Sequence, residues 1–201
     1  MAMILASQSP RRRELLGQMG FSFTVRPARG EELPHPELTP AQLVEELARQ
    51  KALEVSAGAD ADDVVVAADT VVAVDGTVLG KPRDRAHAAE MLSALSGREH
   101  TVYTGVAVKR GEKLLVEHEA TLVRFRPLTQ REIHLYIQTG EPMDKAGSYG
   151  IQGYGALLVE GIRGDYFNVV GLPICRLGRM LAQVGEDALA QCGHGHDEKE
   201  R

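Results

Sequence analysis

Arg11, Arg12, Lys51 and Lys81 offer cations, and Glu31, Glu32 and Asp69 offer carboxylates, along a chain of 201 residues. That mixture suits metal-assisted phosphoryl chemistry. A polyphosphate needs fixed positive charge on its oxygens, while a hard divalent cation takes one or two carboxylates and leaves its other positions to phosphate and water. The first cations follow Ser7-Gln8-Ser9-Pro10, with Ser9 where an N-cap belongs and Pro10 at the first helical position. Backbone N–H groups and the positive end of a helix dipole converge at such a point and attract an anion. Arginines there oppose the macrodipole by about 0.3–1 kcal/mol each, which a bound anion offsets. The plainer reading is a solvated basic turn. Arg11, Arg12 and Arg13 project in three directions, so one or two of them meet a ligand.

These side chains need elements to hold them. Met3 to Ala6 is a short apolar strand leading into the arginine helix, and Phe21 to Val25 alternates as a half-buried strand does. A polar loop from Arg29 to Pro36 carries Glu31 and Glu32. Thr39-Pro40-Ala41-Gln42 is a capping box opening a helix to about Ser56, with Leu43, Leu47 and Leu53 on its apolar face and Lys51 among its charges. Val64 to Ala68 is a continuous apolar run ending at Asp69-Thr70, which makes Asp69 a candidate active-site acid at a strand end.

Val71 to Leu79 reads as a hairpin through Asp75-Gly76, and a helix begins at Asp84 and stops at Ser96-Gly97. His100 to Lys109 and Lys113 to Phe125 form an antiparallel pair, and Thr129 to Glu132 is a second capping box whose helix ends by Gly140. Asp144 to Gly155 is a glycine-rich loop in which Asp144, Lys145 and Gln152 can edge a pocket. Tyr166 to Val170 is predicted as a last strand before a closing helix through Leu177 and Leu181. Mixed strands and flanking helices predict an α/β fold over residues 1–186, as one domain or as two lobes around a cleft, and a polar, disordered tail over 187–201.

Composition excludes several functions. A formal net charge of -5 disfavours broad nucleic-acid binding, so any phosphate site is local. No segment reaches the ~20 apolar residues of a membrane span, and no basic leader precedes the first strand, so a soluble protein is expected. Cys175 and Cys192 form no metal or redox motif and fit a reducing cytoplasm. Gly76 to Lys81 is one residue short of a P-loop, with Pro82 where the magnesium-binding hydroxyl belongs. The glycines after Asp144 are not in dinucleotide-binding order.

An ordered series of short motifs resembles the Maf family of nucleoside triphosphate pyrophosphatases. It comprises Ser7-Gln8-Ser9-Pro10-Arg11-Arg12, Glu31-Glu32, Ala48-Arg49-Gln50-Lys51-Ala52, Ala68-Asp69-Thr70, Gly80-Lys81-Pro82 and Ser96-Gly97. It continues with Tyr103-Thr104-Gly105, Asp144-Lys145-Ala146-Gly147, Tyr149-Gly150-Ile151-Gln152-Gly153 and Gly171-Leu172-Pro173, and spans residue 4 to about 184. The resemblance implies a fold akin to the inosine triphosphate pyrophosphatases, often as a homodimer. It also implies hydrolysis of a nucleoside triphosphate between its α and β phosphates with a divalent metal, magnesium or manganese.

Carried onto this chain, the resemblance implies Asp69 as the proton acceptor, Glu32 and Asp69 as carboxylates for the metal, and Ser7, Ser9, Arg12, Lys51 and Lys81 as the phosphate cradle. Arg11, Thr70 and Gln152 match the subgroup acting on dTTP and UTP; the subgroup acting on 7-methyl-GTP resembles a Trp, Gln and Glu combination, and this chain has no Trp. Gln8 departs from the smaller residue common between the two serines. The family has also been tied to cell division and septum formation, so a nucleotide-binding regulator with incidental turnover is the rival expectation.

Overall fold

The computed structural model describes residues 2–30, 35 and 37–192. Among them, strands β1 (Met3–Leu5), β2 (Phe23–Val25), β3 (Val64–Val74), β4 (Thr77–Leu79), β5 (Glu99–Arg110), β6 (Lys113–Phe125) and β7 (Val159–Arg163) make one mixed sheet. The strand order is β2-β1-β3-β5-β6-β7, with β4 also on β3. β1 is parallel to β2 and β3, and the other pairings are antiparallel. The helices are α1 (Pro10–Gln18), α2 (Pro40–Ser56), α3 (Arg85–Leu95), α4 (Gln130–Gln138), α5 (Tyr166–Val170), α6 (Ile174–Gln183) and α7 (Ala188–Cys192).

Alternation along β3 divides the core. Val64, Val66 and Ala68 pack with Leu15 and Leu16 of α1 and Leu177 and Leu181 of α6. Val65 and Ala67 point the other way, into Ala48, Ala52 and Val55 of α2. Farther along, Val72 and Val74 enter a separate cluster with Leu92 of α3, Ile133 of α4 and Phe125. β3 and β5 thus run through both lobes, and the cleft opens on β3 where its parallel neighbour β1 stops and its antiparallel neighbour β4 has not begun: β1 pairs residues 64–66 and β4 pairs 72–74. Such a divergence at the carboxyl end of a strand leaves backbone and side chains facing an open crevice.

Four sequence expectations are corrected. β3 does not end at Asp69; pairing with β5 continues from Val65 to Ala73, so Asp69 and Thr70 are interior residues of a strand that changes its other neighbour around them. Tyr166–Val170 is a helix, because the Asp165 side chain caps the Phe167 N–H and Gly171, at φ +121°, ends the turn after five residues. Leu53 of α2 is exposed at 37%, and the buried stripe is instead Val44, Leu47, Ala48, Ala52 and Val55. The glycine-rich stretch is ordered as short 3-10 turns at Glu141–Asp144, Ala146–Ser148 and Tyr154–Leu158. β7 had no periodic signal, and α7 lies inside the stretch that composition assigns to a polar tail.

Both capping boxes form as expected, on Thr39 with Gln42 and on Thr129 with Glu132. The β5–β6 hairpin closes with Arg110 opposite Lys113.

Candidate active site

A cleft of about 1260 Å³ is floored by β3 and walled on one side by the β1–α1 turn and α2, on the other by Gly80-Lys81 and the 3-10 turns. Ser9 takes the N-cap position of α1 with extended backbone, and Pro10 opens the helix. The Ser9 side chain makes no capping bond; Ser7 Oγ instead accepts the Ser9 N–H at 3.2 Å. No acid stands in the first turn of α1, so the helix itself places no carboxylate against its positive end, which lines the cleft at Ser9 and Pro10.

Lys51 lies within the buried stripe of α2. Val44, Leu47, Ala48, Lys51, Ala52 and Val55 follow the i, i+3, i+4, i+7, i+8, i+11 spacing of one helix face. That face meets the side of β3 that carries Val65 and Ala67, and Asp69 is next in the same alternation. Lys51 Nζ therefore donates to Asp69 Oδ1 at 2.5 Å, with the two side chains only 21% and 14% exposed. Close approach of α2 depends on Gly105, the residue opposite Asp69 in the β3–β5 register: a Cβ there would sit 2.1 Å from the Val44 carbonyl oxygen.

Arg12 is tied down on several sides. Its Nε donates to the Gly171 carbonyl at 2.7 Å, one terminal nitrogen to Thr70 Oγ1 at 2.9 Å and the other to Ser7 Oγ at 3.3 Å. Arg11 instead reaches across the cleft to Asp144, 3.8 Å away, which also accepts from Lys145 Nζ at 2.6 Å. Lys81 is exposed on the lining, and Gln152 is exposed on the rim. Every expected site residue within the described set, Ser7, Ser9, Arg11, Arg12, Lys51, Asp69, Thr70, Lys81 and Gln152, lines this one cleft. Glu31 and Glu32 lie outside the described residues.

Sequence reasoning missed the residues that hold the lining in place. Glu141 accepts from the Tyr136 hydroxyl at 2.8 Å, the Tyr154 N–H at 2.8 Å and the Gly155 N–H at 2.9 Å, which straps the Gln152 turn to α4. Burial pushes its carboxyl up, but those three donors and Lys145 outweigh burial and hold it below the usual carboxylate range. Gly153 leaves room for this carboxylate; a Cβ there would meet Glu141 Oε2 at 2.2 Å. Thr104 and Asn168, both fully buried, back Thr70 from beneath.

A divalent cation can be tested against these donors. No group of three His, Cys, Asp or Glu residues converges among the described residues, so they offer no all-protein cage. Asp69, at the cleft floor beside cationic and hydroxyl side chains, fits the other kind of site, in which one carboxylate holds an ion that oxygens of a bound ligand and water complete.

The profile of the Maf-like protein family matches residues 2–184. A dTTP/UTP pyrophosphatase of Symbiobacterium thermophilum is 56% identical over 187 residues, covering 91% of this chain and 94% of that one. The dTTP/UTP pyrophosphatase of Moorella thermoacetica is 56% identical over 188 residues, covering 92% and 96%. Among solved structures, a HAM1 protein from Coxiella burnetii aligns with a TM-score of 0.47 at 14% identity, covering 91% of this chain and all of that one.

Proposed function

The chain belongs to the Maf-like protein family, and from that premise we propose that it hydrolyses dTTP and UTP to the nucleoside monophosphate and pyrophosphate. The observation that carries this reading is the single cleft that joins the N-terminus of α1, Arg12 and Lys81 to the Lys51–Asp69 pair. Anion-binding donors and a carboxylate base are what phosphoanhydride hydrolysis requires, and the relatives' names supply the substrates. Release of pyrophosphate means that the α–β bond breaks.

The α1 N-terminus, Ser7, Ser9, Arg12, Lys51 and Lys81 bind the triphosphate oxygens. Lys51 holds one oxygen of Asp69, which orients the carboxylate, and the other oxygen takes a proton from the attacking water. The new bond forms between water oxygen and the α-phosphorus, and the electron pair of the broken bond leaves on pyrophosphate. Cationic donors aimed at the departing oxygens stabilise charge that grows in the transition state. Asp69, with Glu32 as the second expected carboxylate, would hold a divalent cation, which when bound neutralises phosphate charge. Arg11, Thr70 and Gln152 select the base. An amide that both donates and accepts suits the imide edge of thymine and uracil, and other bases leave its groups unpaired at about 1–3 kcal/mol each.

A panel of dTTP, UTP, dATP and GTP assayed for pyrophosphate with magnesium or manganese tests the reading. The expected result is pyrophosphate release with kcat/KM at least about tenfold higher for the two pyrimidines, and Gln152→Ala narrowing that ratio more than it slows the best reaction. Absence of pyrophosphate overturns the function. A purine preference overturns the base assignment, and an equal loss on all four nucleotides in Gln152→Ala removes Gln152 from base reading.

A further inference from the structure

Building on the reading of Arg12 as a triphosphate-binding side chain, we propose that Thr104 and Asn168 are positioning residues for Arg12, acting through a one-way chain of hydrogen bonds that runs from the cleft into the core. Nothing about Thr104 or Asn168 suggests contact with substrate: both are 0% exposed.

The direction of the chain follows from proton counting. A carbonyl only accepts, so Thr104 spends its one hydroxyl hydrogen on the Asn168 carbonyl at 3.0 Å. The Thr70–Thr104 contact, at 2.9 Å, then has Thr70 as donor. Thr70 in turn has its single hydrogen committed inward and can present only lone pairs, one of which accepts from Arg12 at 2.9 Å. Toward the cleft, then, the Thr70 hydroxyl presents lone pairs only: it orients the Arg12 guanidinium, and any part it takes in selecting the base is as an acceptor, as from an imide N–H, and not as a donor.

The far end of the chain is fixed as firmly. Asn168 Nδ2 donates to the Val102 carbonyl and to Thr121 Oγ1, each at 3.0 Å. Thr121 Oγ1 donates to the Asp165 carbonyl and accepts the Asp165 N–H, both at 3.0 Å. Those bonds pin the five-residue helix α5 to β5 and β6 in one orientation. The same helix ends at Gly171, whose carbonyl receives Arg12 Nε at 2.7 Å. One buried asparagine thereby places two of the acceptors that aim Arg12, the Gly171 carbonyl through the seating of α5 and the Thr70 hydroxyl through Thr104, while Ser7 on the β1–α1 turn supplies another.

Thr104→Val keeps the shape of the side chain and removes the hydroxyl. The expected result is about a tenfold loss in kcat/KM on UTP, the middle of the range for groups sharing one network, with Thr104→Ser within about twofold of the parent. In an Arg12→Ala background the same Thr104→Val change should alter kcat/KM by less than about twofold, because the group it positions is gone. A loss that persists undiminished without Arg12, a Thr104→Ser protein as slow as Thr104→Val, or a Thr104→Val protein indistinguishable from the parent overturns the proposal. Calorimetric titration with inorganic pyrophosphate follows the same five proteins without turnover. A chain that releases no pyrophosphate from UTP therefore ends the functional reading, while the binding cycle still decides the role of Thr104. Should Thr104→Val fail to fold, the parent protein is read by NMR. The Thr104 hydroxyl proton and the Arg12 Nε proton should exchange slowly with water; exchange as fast as that of the exposed Arg13 overturns the proposal.

Discussion

Asp69 is the residue on which the proposed chemistry turns, and its setting separates a catalytic carboxylate from a structural one. A structural acid inside a strand would be buried among satisfied partners. Asp69 instead interrupts the apolar faces of β3, lines the cleft and accepts from Lys51 Nζ at 2.5 Å. Asp69→Asn keeps the shape and an acceptor for Lys51, but an amide cannot take a proton from water. Turnover on UTP should fall by about 10²–10⁴-fold while the melting temperature stays within a few degrees of the parent. Near-parent turnover measured on the purified variant removes Asp69 from the mechanism. The contrast between the arginines is equally informative. Arg12 is locked onto the Gly171 carbonyl and the Ser7 and Thr70 hydroxyls, whereas Arg11 makes a longer contact, 3.8 Å, to Asp144. Two adjacent residues of one helix therefore differ in how firmly the protein holds them, Arg12 as a fixed donor in the cleft and Arg11 as an adjustable one at its rim.

Between elements, the decisive contact is the seating of α2 on β5. Gly105 has no side chain where the backbone of Val44 arrives, and a methyl group there would lie 2.1 Å from the Val44 carbonyl oxygen and 2.3 Å from its carbon. Both atoms are backbone, so no rotamer relieves the clash and the helix must move. Because Lys51 rides on α2 and Asp69 is opposite Gly105 in the sheet, that movement pulls the two apart. Overpacking of this kind costs about 1–3 kcal/mol, which for a chain of this length lowers the melting temperature by roughly 2–12 °C. Gly105→Ala should show that loss in a thermal melt and, at a temperature where it is folded, a turnover deficit as well. A destabilised variant with parent turnover would show that the Lys51–Asp69 distance does not depend on this contact.

Across the whole molecule, the lobe that carries α3 and α4 is built around a buried histidine. His100, 2% exposed, meets Phe125 and Tyr149 edge-on and shares a hydrogen bond with the Tyr149 hydroxyl at 2.9 Å. Burial pushes its pKa down from 6.5 to about 4. Below pH 6.5 the unfolded chain takes up a proton that the folded chain refuses, so this contribution is complete above about 6.5 and is lost as the pH falls toward 4. At about 1.4 kcal/mol per tenfold change in proton affinity, the whole interval is worth roughly 3 kcal/mol. His100→Gln cannot charge in this range. The parent should lose several degrees more of melting temperature than His100→Gln between pH 6.5 and 4.5, with carboxylates such as Glu46 and Glu132 titrating alike in both proteins. Parallel curves would show that His100 titrates equally in the folded and unfolded chains.

Local chemistry is what the sequence alone could state. Pro10 after Ser9, the two capping boxes, the apolar run into Asp69 and the β5–β6 pair each depend on neighbours within a few positions, and each is found in place. Even Lys51 was legible in principle, as a cation at i+3 and i+4 spacing within an apolar helix face. What no such pattern contains is long-range packing. The Asp165 cap and the Gly171 stop that make Tyr166–Val170 a helix are local, but where that helix docks depended on Asn168 finding β5 and β6 from 66 and 47 residues away. The path of β3 through Asp69 depended on β5 pairing beyond the point where β1 stops. Glu141, Thr104 and Asn168 hold the site by bonds to groups distant in the chain, so their roles appear only once the fold has closed the distance and burial has raised the cost of leaving a polar group without a partner.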